Sequence, residues 1–360
     1  MLNQNEEGER QGMEDAKIIE WLRALCGAPG VSGAEDCAAA EAEKLLKNSV
    51  PGAKADVFDN VSGVKKSAKA GAKTFLLDAH IDEIGMIVTS IDAKGFLRVS
   101  NCGGVDRRLL AAQAVTVHGR KPLFGVVGTK PPHLMTADEA KKVGKMEEMF
   151  VDIGLCKEEA ERLVSPGNRI TMHAPLEEMY GGLVCGKALD DRAGVAAILY
   201  ALELLGEEDP GINVAVQFTA KEETGGQGAV IGAYAAQADY AVAVDVSFAK
   251  TPDADADKCG TLKKGAMIGY SPVLDKRMSD TMRRLAEEQG IPYQLEVMGG
   301  RSTGTNADGI FTARAGVRTG LISIPQRYMH TPAEVVAVED IKAAGALLAA
   351  VIREAGAEHV

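Results

Sequence analysis

The run Thr74-Phe-Leu-Leu-Asp-Ala-His80 is almost continuously apolar and closes on a histidine. A strand without polar alternation has to be covered on both faces, which is the situation of a parallel or mixed sheet flanked by helices. The same texture returns at 212–219, 240–246 and 320–324, and segments of helical character lie at 191–205, 275–289 and 341–353. Strand and helix in alternation predict an α/β fold with helices on both sheet faces. Ahead of the first buried run, Ile18, Ile19, Leu22 and Leu25 recur at helical spacing and predict a helix over 14–26, ended by Gly27-Ala-Pro-Gly30. Ser32-Gly-Ala-Glu35 then has the spacing of a capping box and predicts that Ser32 opens a second helix.

Between residues 83 and 172 the texture changes. Short β-like runs at 85–91, 96–99, 114–118 and 123–127 are punctuated by Gly and Pro, as in a small β domain. The expected plan is one discontinuous α/β domain, 13–82 and 173–360, interrupted by a β insert at 83–172. Residues 1–12, polar and glutamate-rich, are expected to be a disordered tail.

Charge narrows the partners. With 40 basic and 51 acidic residues the net charge is −11, which argues against nucleic acid and anionic membrane surfaces. The most apolar run, 343–352, is far too short to span a bilayer and follows Glu339 and Asp340, so it is expected to be a packed C-terminal helix. Six cysteines are scattered without a C-x-x-C pair, which supports neither a disulfide framework nor a zinc knuckle and suggests a reducing, cytoplasmic setting.

In open α/β sheets ligands bind beyond the carboxyl ends of the strands. Those positions hold His80 and Asp82, Asp190 and Asp191 at a helix entry, Glu222 and Glu223, Asp245, and His330. One carboxylate suffices to cap a helix, so the pair Asp190-Asp191 asks for a cation. Imidazole with carboxylate, and no thiolate, is the donor set of zinc, cobalt or manganese. Three carboxylates and a hydroxide balance two divalent ions, with two neutral histidines completing the set and a further glutamate left as general base.

Asp78-Ala-His80-Ile-Asp82-Glu-Ile-Gly85, Lys187-Ala-Leu-Asp190-Asp-Arg-Ala-Gly194, Glu222-Glu223-Thr-Gly-Gly-Gln-Gly-Ala229, Val244-Asp245-Val and Arg327-Tyr-Met-His330-Thr-Pro332 together resemble the M42 family of metallo-aminopeptidases, over about 16–352. The resemblance implies a phosphorylase/hydrolase-like α/β domain and a small barrel-like, PDZ-like insert that serves dimerisation, with dimers built into a tetrahedral dodecamer. It implies two metal ions per subunit, zinc favoured over cobalt or manganese, held by His80, Asp190 as the bridge, Glu223, Asp245 and His330. Asp82 would orient His80, Glu222 would act as general base, and short peptides would be the substrates. Two departures, Thr224 after the Glu pair and Asn306 where the family often has aspartate, are expected on the substrate side.

Two other readings keep part of this pattern: a two-metal amidohydrolase or deacylase acting on a non-peptide amide, and a catalytically silent assembly protein. The remaining histidines, His118, His133, His173 and His359, are read as surface or turn residues. Met146, Met149 and Phe150 are read as packing or subunit contact, and Arg107-Arg108 as solvated.

Overall fold

The computed structural model describes residues 4–137, 141–255 and 258–357. Its centre is an eleven-stranded mixed sheet. Strands β3 (Thr74–His80), β12 (Asn213–Thr219), β13 (Tyr240–Phe248) and β16 (Arg318–Arg327) lie parallel in the order β12-β3-β13-β16. Antiparallel strands extend it at both ends: β2 (Val61–Lys65) and β1 (Lys54–Ala55) beyond β12, and β17 (Glu334–Ala337), β11 (Leu183–Gly186) and β10 (Glu177–Met179) beyond β16. Off this path, β14 (Ala266–Tyr270) pairs with β16 and with β15 (Tyr293–Val297).

The two faces of the parallel core differ in side-chain size. Phe75, Leu77, Val214, Val216, Phe218, Val242 and Val244 face a large apolar core shared with α1 (Gln4–Gly27), α2 (Asp36–Leu46), α4 (Leu189–Leu205), α6 (Lys276–Gln289) and α8 (Val338–Gly356). Burying each such side chain contributes roughly 1.5–3 kcal/mol, so this face supplies most of the driving force. The opposite face carries Leu76, Ala215, Ala241 and Ala243 and is covered by the short helices α5 (Gln227–Ala236) and α7 (Ala307–Ile310). Period-2 alternation puts His80, Thr219 and Asp245 on this second face, at the strands' carboxyl ends. Helices α4 and α8 cross closely because Gly345 has no side chain: a Cβ there would lie 2.7 Å from the Ala197 carbonyl.

The insert is a closed six-stranded barrel, β4 (Gly85–Ile91), β5 (Leu97–Cys102), β8 (Phe150–Asp152), β7 (Pro122–Val127), β6 (Ala114–His118) and β9 (Arg169–Met172) in order around it, with its own core of Met86, Val99, Val115, Val151 and Ile170. Met146 and Met149 fill that core and Phe150 packs on Phe96. A short helix, α3 (Lys157–Leu163), leads back to the last barrel strand.

Two local expectations are corrected. Helix α1 starts at Gln4, so the stretch read as a tail is helical from that residue onward, residues 1–3 lying outside the described residues. Helix α2 starts at Asp36, not at Ser32, and its N-cap, Glu35, makes no side-chain cap. The Ser32 hydroxyl is used elsewhere, as described below. His359 lies outside the described residues. His118 is half-buried and bonds Thr171, His133 is exposed, and His173 sits against Phe124. Arg108 is exposed and pairs with Asp106, and Arg107 is exposed.

Candidate active site

The residues singled out in the sequence, His80, Asp82, Asp190, Asp191, Glu222, Glu223, Asp245 and His330, converge at one end of the sheet. His80 ends β3, Asp245 lies in β13, Glu222 and Glu223 follow β12, Asp190 opens α4 and His330 lies between β16 and β17. His80 Nε2 is 3.0 Å from Asp190 Oδ1 and 4.0 Å from both Asp245 Oδ1 and Glu222 Oε2. His330 Nε2 is 3.3 Å from Asp190 Oδ2 and 3.3 Å from Glu223 Oε1. Asp190 therefore presents one oxygen to each imidazole, and each imidazole has a second carboxylate at hand. Donor atoms of His80, Asp190 and Asp245, and of Asp190, Glu223 and His330, lie within 4.8 Å of one another. The site opens to a cavity of about 390 Å³.

The neighbouring Asp191 has a different task. Its Oδ1 accepts the Gly194 N–H at 3.1 Å, capping α4, and its Oδ2 accepts the His80 N–H at 3.3 Å. Residues 190 and 191 have non-helical backbone and the peptide between them is cis. One aspartate of the pair is the cap and the other is free to face the imidazoles.

Asp82, fully buried, accepts hydrogen bonds from the Glu222 N–H (3.0 Å), the Glu223 N–H (3.2 Å) and the Ser32 hydroxyl (2.5 Å), with His80 Nδ1 3.4 Å away. Burial alone would raise its carboxyl, but His80, Ser32 and the Glu222 N–H hold it below the usual range. Asp82 thus holds both glutamate backbones through its carboxylate and the imidazole through its backbone carbonyl, 3.1 Å from His80 Nδ1, with the carboxylate alongside.

Several carboxyls of the site, Glu222 among them, are raised. Burial, opposed by His80 and reinforced by Glu223 and Asp82, pushes the Glu222 carboxyl up to about 7. Burial also raises Asp245, with Asp191 adding to it, and raises Glu223. Hydrogen bonds to Asp190 and Glu223 lift His330 to about 11, and His80 is raised well above the usual value by Asp190 and Asp82 against its own burial. Four carboxylates meet here, and among the described residues no lysine or arginine pairs with Asp190, Glu222, Glu223 or Asp245. Among the described residues the two histidines are the counter-charges that face these carboxylates.

Three contributions were not read from the sequence. Glu334, fully buried, accepts the Asp190 N–H with Oε2 and the His330 N–H with Oε1, each at 3.1 Å. Burial, with Asp190 adding, raises its carboxyl well above the usual range. An acid preceding the apolar pair Val335-Val336 was the available signal. Ser32 was assigned to a helix start. Arg192, with no exposed surface, donates to the carbonyls of Leu25, Ala28 and Ile81 and lies 3.5 Å from Glu83, which also pairs with Lys187 at 2.7 Å. This buried group ties the start of α4 to the end of α1 and to the turn after β3.

Asn306 is not on the substrate side. It is buried beneath the site, where its amide donates to Thr219 Oγ1 at 2.7 Å. Below it Gln217 donates to Asp78 at 2.7 Å, and Asp78 is raised by burial to about 6.

Known proteins resemble this chain in sequence and fold. Residues 59–347 match the family described as M42 glutamyl aminopeptidase. A lysyl aminopeptidase of Pyrococcus furiosus is 33% identical over 344 residues, 92% of this chain and 97% of that one. An aminopeptidase of Desulfurococcus kamchatkensis superposes with a TM-score of 0.87 at 34% identity, covering 94% of this chain and 95% of that one. The TET1 peptidase of Pyrococcus horikoshii, which assembles into a tetrahedron or a large octahedral shell, gives 0.81 at 31%, covering 92% and 98%. The chain belongs to the M42 family and is an aminopeptidase, a hydrolase of peptide bonds.

Proposed function

We propose that the chain removes N-terminal residues from short peptides with two divalent metal ions and Glu222 as general base. The observation that carries this reading is the division of Asp190 between His80 and His330. The donor set fits the group: oxygen and imidazole donors, no thiolate, mutually repelling buried carboxylates and no fixed cation among them. His80 and Asp245 would hold one ion, Glu223 and His330 the other, and Asp190 would bridge. Zinc suits these donors, as do cobalt and manganese. Ions bound there polarise the scissile carbonyl and lower the pKa of a water molecule.

The chain's own residues do the rest. Glu222 takes a proton at one oxygen and returns it to the departing amine. Asp82 keeps the His80 ring oriented and grips the Glu222 backbone so that the base cannot drift. Glu223 diverges from its neighbour toward His330.

Replacement of two residues tests the assignment. Glu222→Gln should lower kcat by about 10²–10⁴ while metal content, measured by elemental analysis, stays at the wild-type level. Asp190→Asn should instead lower metal content. Unchanged hydrolysis by Glu222→Gln at full metal load would sink the role given to Glu222. An amidohydrolase acting on a blocked amide would tolerate an acetylated N-terminus, whereas the aminopeptidase should not.

Assembly into a homo-oligomer, a tetrahedral dodecamer built from dimers, is part of the same proposal. The tetrahedron formed by the similar TET1 peptidase supports it, as do Phe124 and Val126, exposed on the barrel. Light scattering on the purified protein measures it directly. A cytoplasmic location is proposed too; the six cysteines are all unpaired and no described helix is long and apolar enough to cross a membrane.

A further inference from the structure

Beyond the candidate metal-holding groups and Glu222, the cavity is lined by Gly104, Val246, Gly304 and Met329. None carries a charge. Gly104, from the insert, lies flat on His330, where a Cβ would come within 2.5 Å of Nδ1. Gly304 has a φ of +72° and open space where a side chain would be. Val246 is buried, and Met329 packs on the main core.

Of the charged residues near these four in sequence, Asp308, Asp106, Arg327 and Lys221 are engaged elsewhere, and the exposed Arg301 does not line the cavity. Asp308 accepts from the Ser302 and Thr303 hydroxyls and from the Thr303 and Gly304 N–H groups, so its carboxylate is taken up in shaping the loop that carries Gly304. Asp106, two residues from Gly104, is held by the Arg108 guanidinium. Arg327, two residues before Met329, donates to the Lys250 carbonyl. Lys221, beside Glu222, donates to the Phe58 carbonyl.

From this we infer that the pocket receiving the substrate's N-terminal side chain selects neutral, apolar residues of the size of leucine and methionine. The inference rests on the aminopeptidase reading above. An ammonium or carboxylate side chain entering the pocket would leave water without meeting a counter-charge, whereas an aliphatic one gains contact with Val246 and Met329. The flexible thioether of Met329 adapts to several shapes, so discrimination among apolar residues should be shallow.

The test is a panel of aminoacyl p-nitroanilides carrying Leu, Met, Lys, Arg, Glu and Asp, assayed on the metal-loaded, assembled enzyme. Leu and Met should exceed the four charged residues in kcat/KM by about tenfold or more. A preference for Lys or Arg overturns the inference, and so does a preference for Glu or Asp, which would direct attention to the exposed Arg301; both leave the aminopeptidase intact. Hydrolysis of acetylated but not free-amine substrates overturns the underlying reading as well. In the variant Met329→Glu the ratio of Lys to Leu kcat/KM should rise by about tenfold. This ratio, measured on one preparation, is insensitive to the fraction folded, and a ratio equal to that of wild type removes Met329 from the pocket.

Discussion

Glu334 and Asp190 are joined through the backbone: Oε2 of the buried glutamate accepts the Asp190 N–H at 3.1 Å, while its other oxygen accepts the His330 N–H at the same distance. A single carboxylate on β17 therefore sets the spacing between Asp190 and the His330 imidazole. His330 has a φ of +62°, a conformation that few histidines adopt unaided. Both backbone positions rely on the same acceptor.

Glu334→Gln keeps the shape but turns one acceptor oxygen into a donor, so one of the two N–H groups faces another donor. Metal affinity should fall by about 10–100-fold, with the loss concentrated in one of two ions. Titration calorimetry on metal-free protein reads the affinity. Activity of the variant should recover in excess metal, which a purely structural defect would not allow. Wild-type affinity for both ions would refute the role.

Ser32 offers a subtler prediction. Its hydroxyl is one of the donors that saturate Asp82, and its carbonyl accepts from Arg169 of the insert at 3.1 Å. Ser32→Ala removes a charge-assisted hydrogen bond and loosens the support of Glu222, so kcat should drop by about tenfold, a loss of roughly 1.4 kcal/mol in transition-state stabilisation. KM should hardly move, and Ser32→Thr should restore much of the rate. An equal rise in KM with kcat unchanged would place Ser32 on the binding side instead.

The degree to which this site was legible follows from what each residue contributes. His80, Asp190, Glu222, Glu223, Asp245 and His330 act through side chains placed near the ends of apolar runs, and such placement can be read from hydropathy alone. The parallel strands and the barrel insert were legible for the same reason, since burial on both faces and short punctuated runs leave opposite signatures. Ser32 was misread because a hydroxyl three residues before a glutamate satisfies a local pattern, and the competing acceptor, Asp82, is fifty residues away. Glu334 was missed because it acts on backbone N–H groups, which every position possesses. Asn306 was misplaced because its neighbours, Thr219 and α5, come from distant segments.

Arg192 should prove the most sensitive position for stability. Its guanidinium, shielded entirely from solvent, satisfies the carbonyls of Leu25, Ala28 and Ile81 and faces Glu83. Arg192→Met matches the length but strands the Ala28 and Ile81 carbonyls, leaves the Leu25 carbonyl with the Ala28 N–H alone, and leaves Glu83 with Lys187 alone as counter-charge. A destabilisation of about 3–5 kcal/mol is expected, seen as a large fall in the urea midpoint of the metal-free protein. A change within 1 kcal/mol would mean that water replaces the guanidinium.

Asp340 provides a test that depends on pH. It sits in the first turn of α8 and accepts the Lys263 and Gly265 N–H groups, each at 2.7 Å, while burial, against those two donors, lifts its carboxyl to about 6. The folded state then binds this proton more tightly than the unfolded chain, whose aspartates titrate near 3.9. Below about pH 4 both states are protonated and the group is neutral to stability. As pH rises through about 6 the folded state must ionise a buried acid, so stability is lost, by at most about 3 kcal/mol, and stays constant above that range. Asp340→Asn removes this slope. The difference in unfolding free energy, wild type minus variant, should therefore fall between pH 4 and pH 7 in metal-free urea titrations. A difference that rises over that interval would mean that the two N–H donors, rather than burial, dominate the carboxyl.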